Sequence, residues 1–163
     1  MNTFVQKLDR LCASMVRPLA FLIVLITRLA LGLSFFFAGK GKLADLENVT
    51  KNFEGLGIPM ASIQAPFVGG LELVGGAAIA LGLLTRPFAA ILSMVMVVAL
   101  ISAHGGDMSA AFAFDGKRQL IDIHAFFYLL FLLWIWVYGP GRLSVDSLLF
   151  DTEAQPQGKS AKS

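Results

Sequence analysis

FVGGLELVGGAAIALGLL, residues 67–84, holds a single charge, Glu72, in a run otherwise free of ionisable groups. A helix crosses a hydrocarbon core of roughly 30 Å with about 20 apolar residues at 1.5 Å each. The run approaches that length. A carboxyl group at such depth is expensive in lipid and marks a place where the sequence holds something more than a lipid-facing wall. Three further apolar runs flank it: Leu19–Ala38, Phe88–Ala103 and Leu120–Tyr138. Each is continuous, without the alternation of barrel strands, so all four read as helices. Backbone groups in lipid must be satisfied within the segment, which leads to an all-α integral membrane four-helix bundle with short connections.

Composition agrees. The chain of 163 residues is 56% hydrophobic and 15% charged, with a mean hydropathy of +0.74. These values exclude a soluble domain of this size. The net charge of +2 is spread over the loops, so nucleic acid is not expected as a partner and the lipid bilayer is. Cys12 is the only cysteine, which removes internal disulfides, CxxC chemistry and thiolate metal clusters.

The expected organisation is an interfacial segment at 1–17, a four-span domain at 18–150 and a disordered tail at 151–163, with spans at about 19–38, 67–84, 88–104 and 120–138. Phe4, Leu8, Leu11, Cys12 and Met15 recur at helical spacing, the pattern of a short amphipathic N-terminal helix on the membrane surface. Pro18 suits the first turn of the opening span. Arg28 interrupts the apolar stretch and no A-x-A site follows, so the amino terminus reads as a retained anchor. Lys7, Arg10, Arg17, Arg86 and Arg142 on one side nearly balance Lys40, Lys42, Lys51, Lys117 and Arg118 on the other. Dominance of the first helix favours both termini inside. The connection at 39–66 is then an outer lid, with an amphipathic stretch around Leu43–Phe53 and the breaker GLGIP. Leu84-Thr85-Arg86-Pro87 is a tight turn between antiparallel neighbours.

Arg28 and Glu72 are the two charges within spans, and Gly32 beside one and Gly69, Gly75, Gly76 and Ala80 beside the other allow close helix approach. An Arg28–Glu72 ion pair is the expected arrangement, with Lys42 the rival partner of Glu72. Such a pair either fixes helix register or meets substrate or protons. His104, Asp122 and His124 are expected at the outer mouth, where they could relay protons. Asp122 and His124 point to nearly opposite helix sides, and no ligand motif is present, so no metal is assigned; His104 and His124 are the weak candidates. Phe35, Phe36, Phe37, Phe126, Phe127 and Phe131 either line a pocket for a flat apolar molecule such as a quinone or pack against helices and lipid.

RLALGLSFFFAGKGKL at 28–43, GLGIP at 55–59, GGLELVGGAAIALGLLTRPFA at 69–89 and GPGRLSVD at 139–146 together resemble the DoxX family of small four-span bacterial membrane proteins. The resemblance implies a four-helix bundle in the bacterial inner membrane, with Arg28, Lys42, Glu72, Gly76, Arg86 and the GPGRLSVD turn at positions typical of the family. It also implies a redox-associated or stress-related accessory subunit that interacts with quinone and with a membrane or periplasmic redox protein. Two alternatives stay open: a transporter of a small solute or ion, working as a homo-oligomer, and a membrane anchor or assembly factor without activity of its own.

Overall fold

A computed structural model describes residues 3–112, 123–139, 141 and 144–146, with side chains for 22–103, 105, 123–139, 141 and 144–146. The tail at 151–163, Asp122 and the side chains of residues 1–17 lie outside the described residues. All regular structure among them is helical: α1 (Thr3–Ala44), α2 (Leu46–Gly55), α3 (Ala61–Leu81), α4 (Thr85–Phe112) and α5 (His124–Tyr138). Within the described residues, Leu22–Ala44, Ala61–Leu81 and Thr85–Ala103 are long and apolar enough to cross a membrane, and α5 is a shorter apolar helix. The protein is a membrane protein built as an all-α bundle.

Three helices differ in extent from the reading of the runs. α1 continues unbroken from Thr3 through Pro18, so the N-terminal amphipathic stretch and the first span share one helix. α3 starts at Ala61, ahead of the expected Phe67, and carries Pro66 inside. α4 likewise runs through His104 to Phe112, where a loop was expected. Apolar composition marks where lipid is, whereas a helix ends where its hydrogen-bond pattern is broken, and the two need not coincide.

Capping side chains and left-handed residues set the breaks. Asp45 caps α2, accepting from Asn48 N at 3.4 Å and from Asn48 Nδ2 at 2.7 Å. Gly82 (φ +75) ends α3 with its N–H on Ala78 and Ile79 carbonyls. Leu84 (φ 47) then reverses the chain into α4.

α1 packs antiparallel on α3 with the backbones touching. A methyl group added to Gly76 would strike Phe36 N and Gly32 O, and one added to Gly32 would come within 2.8 Å of Ala80 Cα. Gly32 and Gly39 on α1, and Gly69 and Gly76 on α3, are each two helical turns apart and so share a face. The core forms beside this seam from Leu31, Phe35, Ile79, Leu92, Leu132 and Ile135. Phe35 reaches Tyr128 of α5, ring centroids 5.5 Å apart. α2 buries no residue of its own; it lies across the bundle at the end where α1 finishes and α3 starts. That is the lid end, and the α3–α4 reversal marks the turn end.

Candidate functional site

The α1–α3 register places Gly39 beside Leu73 and Gly32 beside Ala80. Two consequences follow for the buried charges. Lys42, near the end of α1, comes level with Gly69 and points its side chain down the seam, where its Nζ donates to Glu72 Oε2. Arg28 falls beside Gly82, ten positions and about 15 Å along α3 from Glu72. The expected Arg28–Glu72 pair is therefore not formed, and Lys42 is the partner. The register of α1 on α3, which the apolar runs do not report, decides between the two partners.

Glu72 is 2% exposed and Lys42 29%. Beside their pair lies a cavity of about 470 Å³ between α2, α3 and α4, a volume suited to a drug-sized molecule. Phe53, Leu56 and Ile58 roof it from α2 and the GLGIP break. Phe67 and Leu71 of α3 and Met94 and Val98 of α4 form apolar walls. Its polar groups are few: the Lys42–Glu72 pair, Gln64 and Ser102. Gln64 Nε2 donates to the Pro59 carbonyl at 2.8 Å and Ser102 Oγ to the Val98 carbonyl at 2.8 Å, leaving oxygen lone pairs on both. The arrangement can hold a flat apolar molecule and offer one charged donor and one carboxylate to its polar edge.

The phenylalanines singled out in sequence do not line this cavity. Phe35 is buried in the core and Phe37 is 61% exposed, while Phe126 and Phe127 pair edge to face at 5.8 Å on α5. Helical spacing puts successive aromatics on different faces, so a run of three cannot share one pocket. The residues that do line it, Phe53, Phe67 and Met94 among them, come from three separate elements joined only by the fold. Gln64 and Ser102 carried no sequence signal.

His124 opens α5, exposed and away from the cavity lining. His104 lies within α4, its side chain outside the described residues, as is all of Asp122. Among the described residues no three His, Cys, Asp or Glu side chains come together as metal ligands.

The turn end carries a second polar centre. Asp146 Oδ1 accepts from Leu84 N at 2.7 Å and Oδ2 from Thr85 N at 3.0 Å, while Asp146 N donates to the Gly82 carbonyl at 2.8 Å. Arg28, 3% exposed, lies against Gly82, whose other neighbour is Ser144. Arg86 lies over Gly139, where a methyl would stand 3.3 Å from its Nη2. The GPGRLSVD segment thus latches the α3–α4 reversal. Its carboxylate satisfies the first N–H of α4 and lies at the positive end of that helix.

Comparison with known proteins agrees with this architecture. The DoxX family model matches residues 23–105. An uncharacterized membrane protein of Mycobacterium tuberculosis is 34% identical over 134 residues, 77% of this chain and 80% of that protein. A Bacillus subtilis protein named "Putative oxidoreductase CatD" is 30% identical over 104 residues, 61% of this chain and 74% of that protein. No solved structure matches the chain with significance.

Proposed function

This chain belongs to the DoxX family of membrane proteins, and from that premise we propose that it is an inner-membrane accessory subunit of a redox system that binds a quinone in the lid-end cavity. The observation that carries the reading is the pairing of an apolar cavity of about 470 Å³ with a buried Lys42–Glu72 pair on its wall. The likeness to CatD supports the redox side.

The residues fit such a molecule. A quinone is a flat apolar ring with carbonyl oxygens at opposite edges, and it accepts two electrons and two protons when reduced. Lys42 Nζ is a donor for one carbonyl oxygen, and the apolar walls take the ring faces. Glu72 Oε2, which accepts from Lys42, is the group to hold a proton as charge builds at that edge. α2 and the GLGIP break keep bulk water from the pair. Electrons would come from a membrane or periplasmic oxidoreductase partner. In this reading both termini are cytoplasmic and the lid end faces the periplasm. A continuous polar path for solute transport gains no support, because Arg28 and Glu72 are separated along α3 by the packed level of Ile79, Leu92 and Leu132.

The test is native mass spectrometry of the protein extracted gently from its own membrane or loaded with quinone in nanodiscs. One quinone mass per chain is expected, lost in Ala99→Trp, which fills the cavity. A wild-type chain that carries no quinone under either condition overturns the reading and leaves an anchor.

A further inference from the structure

Three of the cavity's lining residues on α4 are also open to the surroundings: Ile91 at 37%, Met94 at 72% and Val98 at 52% exposure. All three lie well inside the apolar segment Thr85–Ala103. What surrounds them is hydrocarbon rather than water. At the lid end the cavity is crossed by Phe53 and Ile58, both half-buried, and by Leu56 at 41% exposure, none of them within a candidate membrane span. The polar pair sits at the back wall, with Glu72 almost wholly enclosed.

These exposures give the cavity a direction. We infer that its mouth is a lateral portal between α3 and α4, through which a ligand enters from the bilayer head first and leaves its tail in the lipid along Ile91, Met94 and Val98. The ligand class is a lipid-soluble molecule with a polar ring and a long hydrocarbon chain, and a water-soluble analogue without the chain is a poor occupant. This rests on the quinone reading above and adds the route and the tail. The chemistry is consistent at each point: the ring edge finds the Lys42–Glu72 pair, and the chain exchanges one apolar surface for another, so no polar group is stranded on entry. α2 then acts as a roof against water rather than as a gate for ligand.

The test uses the full chain in lipid nanodiscs with a quinone whose hydrocarbon tail carries a diazirine at its far end. Illumination is expected to label α4 around Met94 and Val98, with labelling competed away by excess unmodified long-tailed quinone. The wild-type chain is expected to retain the tailed quinone at least tenfold better than the tail-less ring; Met94→Trp combined with Val98→Trp is expected to cut retention of the tailed quinone at least tenfold, and Val97→Trp combined with Ile101→Trp, on α4 outside the cavity lining, to leave it within twofold. Competable labelling on α2 at Phe53–Ile58 instead of α4 overturns the portal while the quinone reading stands. Retention of neither ligand by the wild-type protein overturns both.

Discussion

Lys42 reverses the usual behaviour of a lysine near a helix end, which stretches its ammonium toward water. Its stem runs inward past Gly69, where an added methyl would press on Leu43 at 3.1 Å and on Lys42 Cβ at 3.4 Å. A methyl there would require these side chains to give by a few tenths of an ångström. The reward is neutralisation of Glu72, and removing one partner alone strands a buried charge. Lys42→Ala is expected to destabilise the protein by about 3 kcal/mol, whereas Lys42→Met combined with Glu72→Leu restores most of the loss and abolishes quinone retention. Thermal unfolding midpoints in detergent, read beside native mass spectra, check both halves. An equally damaged double variant would show that the pair is not the source of the loss. Glu72 was legible from the sequence as one of two charges within the spans, and Lys42 as the rival to Arg28 for its partner. The choice between Lys42 and Arg28 was not, because it depends on the α1–α3 register, and hydropathy does not report register.

At the scale of elements, the α1–α3 seam decides where everything else lies. Its backbone contact tolerates nothing larger than hydrogen at Gly76, while Gly70 on the same helix faces open space. Gly76→Leu is therefore expected to prevent assembly of the bundle, and Gly70→Ala to leave it intact; yield of monodisperse protein after extraction and the helix content by circular dichroism separate the two. Collapse of the Gly70 variant would point to a neighbour on that face. The helices themselves were readable as continuous apolar runs, and the small-residue faces as the signal for close packing. Their ends were not: α3 extends back to Ala61 and α4 forward to Phe112 because lipid thickness limits the apolar run but not the hydrogen-bonded helix. The cavity was least legible, since its lining comes from α2, α3 and α4 at positions whose only common property is that the fold brings them together.

The whole molecule has two ends with different tasks. The cavity proposed for the ligand lies under α2, and structural closure at the α3–α4 reversal. Asp146→Ala removes the acceptor of two N–H groups and is expected to cost about 1–2 kcal/mol. Quinone retention should remain within twofold of wild type, because the cavity lies at the far end. A lowered melting point with unchanged retention supports this division of labour; loss of retention would mean that the two ends are coupled.

The latch also has a position in time. Asp146 lies 62 residues after Leu84, whose N–H it accepts, so the backbone groups of the α3–α4 reversal are made before the carboxylate that satisfies them. Until then the first amides of α4 and the Gly82 carbonyl must be held by water or lipid headgroups. The reversal is therefore closed from the far side of α5, and a message cut short just before codon 146 would yield spans that have been inserted but never locked.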